Sequence, residues 1–244
     1  MMDSAAPIPV LTRAQMVEVD RAMVADYGIL LIQMMEHAGR HLAHLARTRL
    51  LDGDPRGRRV IVLAGTGGNG GGALVAARRL HMWGAHVVVA LTKEMSAFSE
   101  VPAHQLAIVL RLGIHVVGAE QVARLGPADA VLDGVIGYSL SGPPRGAAAE
   151  LIRWANVQEA PVVALDTPSG LDAGSGVIHT PAIAATATLT LALPKAGLLT
   201  PEAAPYVGEL YLADIGVPPQ LYAGKGLGLA VGPLFAQDEI IRLR

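Results

Sequence analysis

Three short segments of this chain carry residue types that could do chemistry, and each follows an apolar run. The first is residues 65–73, G-T-G-G-N-G-G-G-A, with six glycines among residues 65–72 and one amide, Asn69. It satisfies G-x-G-x-x-G at Gly65, Gly67 and Gly70. Such glycines permit positive φ and let backbone amides approach an anion at a helix N-terminus. So many of them cost conformational entropy, which points to a bound phosphate or nucleotide. A tight turn that needs glycine for geometry alone is the plainer alternative.

The second is Asp133, at the end of Ala130-Val131-Leu132 and ahead of a glycine-rich stretch with Gly134, Gly137 and Gly142. A carboxylate leaving a buried strand either faces a ligand crevice or caps the next turn. The third is residues 166–172, D-T-P-S-G-L-D, where Pro168 fixes a turn and Ser169 projects three residues after Asp166. Burial beside apolar residues raises an Asp pKa and would fit Asp166 for proton transfer, with an Asx-turn as the alternative. No nucleophile-elbow motif surrounds Ser169, and Asp172 reads as a surface residue.

These residues need a frame. Thr12 and Gln15 form a capping box ahead of Met16, Val19 and Met23 at helical spacing, and Gly28 can close that helix. A second helix places Leu31, Met34, Met35, Ala38, Leu42 and Leu45 on one stripe, read as packing. From residue 59 onward, short apolar runs alternate with helical stretches. Strands are expected at 60–64, 87–91, 116–117, 130–132, 161–165, 189–193 and 210–213, with helices at 73–83, 102–112 and 148–155. Runs that are apolar on both parities belong to strands buried on both faces. The fold class is therefore α/β: a Rossmann-like three-layer sandwich, mostly parallel, with two N-terminal helices packed on it. One domain over 1–244 is the simplest division, with residues 1–11 as a loose arm.

Composition narrows the function. The chain has 244 residues, 52% apolar, with a formal charge of −2 and only 4% aromatic residues. That balance argues against nucleic-acid binding, which wants basic faces and stacking rings. No cysteine is present, so disulfides and thiolate chemistry are excluded. Residues 173–194 lack Asp, Glu, Lys and Arg, yet Pro181, His179 and several threonines oppose a membrane span. The first residues carry no base before Arg13 and do not read as a signal peptide, so a cytoplasmic place is expected. The eight histidines show no metal-ligand pattern, and His37, His41 and His44 are expected on a solvent face. An oxidoreductase using intact NAD would rest on the glycine fingerprint alone, with Glu94 as its ribose acid.

Taken together the segments resemble the NAD(P)H-hydrate epimerase family, of the YjeF N-terminal domain type, from Leu11 to about Pro218. The opening L-T-R-A-Q-M-V-E-V-D-R and the later M-M-E-H-A-G-R are similar to its N-terminal helices. Residues 65–78 resemble its G-P-G-N-N-G-G-D-G-L-V-A-A-R, 133–137 its D-A-I-F-G, and 164–172 its A-I-D-I-P-S-G-L-D. A late motif, A-L-P-K-A-G-L at 192–198, carries a lysine at the family's place.

The resemblance implies conversion of the R form of hydrated NADH or NADPH to the S form, which a separate dehydratase then repairs. It implies that Asn69, Asp133 and Ser169 hold a potassium ion, whose hardness and single charge suit oxygen ligands. Gly68, Asn69, Gly70, Gly71 and Gly72, with Gly137, Tyr138, Ser139, Leu140, Ser141, Gly142 and Pro143, would bind the dinucleotide. Asp166 would accept the C6 hydroxyl proton, opening the adduct so that hydroxide re-adds on either face. A homodimer is also implied.

The chain departs from the pattern. Gly68 stands for the family's first Asn, Gly72 for its Asp, Ala73 for the next Gly, and G-Y-S-L for G-T-G-L. Losing the carboxylate and the amide is expected to remove two polar contacts to the adduct, about 1–3 kcal/mol each if buried. A member of the same family that binds a nucleotide without catalysis, or an enzyme for a different nucleotide-type adduct, are the readings this leaves open.

Overall fold

The structure, a computed structural model, describes residues 8–244. Helix α1 (Arg13–Ala25) opens on the capping box, with the Gln15 N–H donating to Thr12 Oγ1 and the Thr12 N–H to Gln15 Oε1. Gly28 adopts φ 67° just beyond it, as the turn into helix α2 (Leu31–Leu50) requires. Six strands then run parallel to β1 (Arg59–Ala64): β2 (His86–Leu91), β3 (His115–Gly118), β4 (Ala130–Gly134), β5 (Val162–Leu165), β6 (Ala187–Leu191) and β7 (Glu209–Ala213). An eighth, β8 (Ile240–Arg242), absent from the sequence expectation, pairs antiparallel with β7. The sheet order is β3-β2-β1-β4-β5-β6-β7-β8, so the winding reverses between β1 and β4. Ligand crevices form at such a reversal, beyond the strands' carboxyl ends.

Alternate strand residues face opposite layers. Val60, Val62, Val163 and Leu165 join α1, α2 and helix α3 (Gly68–Met82) on one side. Ile61, Leu63, Val131, Val162 and Ala164 join helix α5 (Gly146–Asn156) on the other, and α4 (Glu100–Arg111) packs beside α3. Both faces are therefore dry, as the continuous apolar runs require.

Several expectations shift. The glycine segment is not a loop ahead of a helix at 73, because α3 already begins at Gly68. None of the glycines from 65 to 72 takes a positive φ. Gly65, Gly70, Gly71 and Gly72 are small because space is short, which does not hold at Gly67 and Gly68. A Cβ on Gly70 would collide with the Gly65 carbonyl oxygen, and one on Gly71 would lie 2.6 Å from Met35 Sδ. The late strand ends at Leu191, since Ala192 turns to φ 64° and leads the chain away from the sheet. Of the expected arm, residues 1–7 lie outside the described residues. Leu11 is fully buried, and its N–H donates to the Pro194 carbonyl at 2.9 Å, so the chain is anchored by that point. His37 and His44 are exposed, but His41 is buried against the core, its ring turned inward by the pitch of α2.

Candidate active site

The site grows from the tips of β4, β5 and β6. Asp133, fully buried near the end of β4, accepts three bonds from the chain around it. Ser169 gives it a backbone N–H at 2.8 Å and its hydroxyl at 2.6 Å, and Val135 gives an N–H at 3.1 Å. Burial pushes the Asp133 carboxyl up to about 6, while these bonds pull it down. The Ser169 hydroxyl in turn accepts the Ile136 N–H at 2.8 Å. The turn at Pro168 thus ties the β4 and β5 tips together through one serine. Asn69, in the first turn of α3, lies against Gly137, and its buried Nδ2 has no hydrogen-bond partner.

Asp166 follows β5 in the left-handed conformation, φ 64°, which a non-glycine residue holds only when its surroundings over-determine it. Here they do. Its N–H donates to the Leu189 carbonyl at 2.8 Å, which points the side chain into the crevice. Its Oδ2 accepts the Tyr138 N–H at 3.3 Å, and its Oδ1 accepts the Leu191 N–H at 3.4 Å. The same Oδ1 forms an ion pair with Lys195 Nζ. Lys195 is fully buried and also donates to the Leu191 carbonyl at 2.7 Å and Thr190 Oγ1 at 3.3 Å.

Lys195 lies in the A-L-P-K-A-G-L motif, and the sequence alone assigns it no place in the site. One signal was present: it is the first Lys, Arg, Asp or Glu after Asp172, set in an otherwise apolar A-L-P-K-A-G-L. A lysine inside so dry a stretch must find a carboxylate or leave its charge stranded.

A second unforeseen residue is Asp20 of α1, whose carboxylate accepts a hydrogen bond from the Tyr138 hydroxyl. Burial raises the Asp20 carboxyl above its usual range, and burial with the neighbouring Asp20 charge raises the Tyr138 phenol. Asp20, Tyr138 and Asp166 face one cavity of about 310 Å³, together with Asn69, Gly68, Gly137 and Ser139. Its remaining wall is apolar, from Met16, Leu31, Met34, Met35, Leu165, Leu191 and Ile215. A second hollow of about 540 Å³ adjoins it, sharing Gly68, Asn69, Gly137 and Ser139, and carries Lys93 and Arg145 at its rim.

Not every residue expected at a ligand lies there. Gly70, Gly71 and Gly72 are buried inside α3, and the Gly71 N–H already donates to the Gly67 carbonyl at 3.0 Å. Leu140, Ser141, Gly142 and Pro143 border a third hollow of about 420 Å³, which shares Ile136, Ser139, Arg145 and Ala148 with the second. Glu94 is exposed at the start of a short helical turn.

Comparison with known proteins adds to this geometry. Residues 31–197 match the family described as YjeF-related protein N-terminus. The chain is 44% identical over 237 residues to the NAD(P)H-hydrate epimerase of Dehalogenimonas lykanthroporepellens, covering 96% of this chain and 92% of that one. It is 33% identical to the protein of the same name from Rhodopirellula baltica, over 91% and 90% of the two chains. Against the bifunctional NAD(P)H-hydrate repair enzyme Nnr of Salinibacter ruber it is 36% identical, and the match takes in 86% of this chain but 41% of that protein. Among solved structures, the yeast protein ynu0 shares the fold with a TM-score of 0.80 at 24% identity, covering 97% of this chain and 100% of that one.

Proposed function

Because the chain belongs to the YjeF-related protein N-terminus family, we propose that it is an NAD(P)H-hydrate epimerase, interconverting the R and S forms of hydrated NADH or NADPH. The observation that carries the reading is Asp166, held at a cavity wall by the buried Lys195 ammonium.

In the hydrated nicotinamide ring, C6 bears both a hydroxyl and the ring nitrogen N1. When Asp166 takes the hydroxyl proton, the oxygen closes to a carbonyl and the C6–N1 bond breaks, its electron pair going to nitrogen. C6 is then planar. Rotation followed by attack of N1 on the other face gives the second epimer. The oxygen stays on C6 throughout, so nitrogen re-adds rather than hydroxide. Apolar side chains form the rest of the wall around the opened ring, and Lys195 pairs with the carboxylate that accepts the proton.

The residues present fit a monovalent cation. Asp133 and Ser169, joined by the hydroxyl hydrogen bond at 2.6 Å, and the Asn69 amide oxygen Oδ1 are the atoms that would hold it. Such a set, hard and singly charged, suits potassium rather than a dication. When bound, the ion would supply positive charge near the pyrophosphate and hold the two strand tips together. The second hollow, with Lys93 and Arg145, suits the phosphates of the rest of the dinucleotide.

The same proposal includes a cytoplasmic place, a separate dehydratase that consumes the S form, and a homodimer. Among the described residues, no helix is long and apolar enough to cross a membrane.

The test supplies purified R-hydrated NADH with an excess of a dehydratase specific for the S form. Conversion well above the spontaneous rate, lost in Asp166→Asn, is expected. A rate equal to the spontaneous one would leave a nucleotide-binding protein without this activity, the reading that Gly68 and Gly72 suggested.

A further inference from the structure

Ring opening moves two protons: one leaves the C6 hydroxyl and one must arrive at N1. Asp166 accounts for the first only. We propose that Tyr138 and Asp20 form a second acid–base unit that delivers the proton to N1, an inference that rests on the epimerase reading of the same cavity.

The two carboxylates on this cavity are built differently. Asp166 is compensated as an anion by Lys195 Nζ and by the N–H groups of Leu191 and Tyr138. Asp20 has no ion-pair partner among the described residues, and the Tyr138 hydroxyl is its one side-chain hydrogen-bond partner there. In the proposed step Asp20 enters protonated: no cation pairs with it among the described residues, and burial, the largest influence, raises its carboxyl against the Tyr138 hydrogen bond that lowers it. Two acids whose environments pull them apart can serve as acid and base in one step. Tyr138 joins them, with its N–H on Asp166 and its hydroxyl on Asp20.

The step balances. The hydroxyl proton of C6 passes to Asp166 as the C6–N1 pair moves to nitrogen. N1 takes the Tyr138 proton, and the Asp20 proton moves onto the phenol oxygen, leaving Asp20 as carboxylate. Reclosure reverses each transfer, so the site returns to its starting charge with C6 of either hand. The phenol is a feature of this chain's G-Y-S-L loop, and α1 exists in the site to carry its partner.

The test uses the full chain with R-hydrated NADH and excess S-specific dehydratase. Active wild type with a dead Asp166→Asn confirms the underlying reading first; wild type at the spontaneous rate refutes that reading instead. Given an active wild type, Tyr138→Phe and Asp20→Asn should each lower kcat about 100-fold or more while KM moves less than about threefold. The double variant should be no slower than the worse single one, because the pair works as a unit. A single variant keeping half of the wild-type kcat, or losses that multiply in the double variant, would overturn the relay. Should Tyr138→Phe not fold, Asp20→Asn decides alone, since its amide still accepts the phenol's hydrogen bond.

Discussion

Lys195 Nζ and Asp166 Oδ1 meet as an ion pair with the lysine side chain wholly buried and the aspartate nearly so. One partner sits at the tip of β5 in a left-handed turn, and the other returns on the loop after β6, past a second left-handed residue, Ala192. Two strained residues thus bring a charge and its counter-charge to one point. Hydrogen bonds to Leu191 and Thr190 fill the remaining directions of the ammonium. The arrangement is a carboxylate and its counter-charge set together in a dry wall.

Removing one partner leaves the other charge stranded, which in buried pairs costs about 3–5 kcal/mol. Lys195→Met should therefore lower the denaturant midpoint strongly and abolish epimerisation together. Lys195→Arg should not restore activity, because a planar guanidinium cannot occupy the three directions the ammonium uses. A Lys195→Met protein as stable as wild type would show that the pair contributes nothing.

The glycine departures make a sharp contrast. A Cβ on Gly68 would have Met35 Cε as its nearest neighbour at 3.9 Å, whereas one on Gly72 would lie 2.7 Å from Leu165 Cδ2. Gly68→Asn should be accepted with little change in melting temperature. Gly72→Asp should destabilise by roughly 2–4 kcal/mol, from overpacking and a buried carboxylate. Adding Leu165→Ala should recover part of that loss. Equal melting temperatures for the two single variants would contradict the packing described.

His41 gives the fold an acid limit. Burial, with the Arg40 charge second, lowers its pKa to about 4, against an ordinary 6.5 in an unfolded chain. Between those values the unfolded state binds the extra proton, so this contribution is whole above 6.5 and is lost as pH falls toward 4. His41→Leu should flatten the fall in urea midpoint between pH 7 and pH 5. An unchanged slope would remove His41 as the cause.

Binding of a monovalent cation at Asn69, Asp133 and Ser169 predicts a salt-specific stabilisation. Potassium at ten times its dissociation constant should add about 1.4 kcal/mol, read as a rise in melting temperature over tetramethylammonium at equal ionic strength. Ser169→Ala should remove the difference. Identical curves in the two salts would exclude the site.

Local pattern determined a good deal of this molecule. Apolar runs on both parities require strands covered on two sides, and helical stretches between them require a parallel sheet; seven of the eight strands were legible that way. Asp133, Asp166 and Ser169 stood out in the sequence as polar residues at the ends of such runs; of the three only Asp166 lines the cavity, while Asp133 and Ser169 are buried against each other behind it. The glycines at 65–72 were seen, but their reason was not. Gly70, Gly71 and Gly72 serve close packing against Gly65, Met35 and Leu165, which local sequence does not encode.

The partners that complete the site came only with the tertiary structure. Lys195 reaches Asp166 across 29 residues, and Tyr138 reaches Asp20 across 118. No local propensity specifies contacts of that separation; they exist because sheet order places β5 beside β6 and because α1 brings Met16 and Asp20 to the same cavity. The inward turn of His41 has the same origin, since which side of a helix is dry depends on what the rest of the chain packs against it.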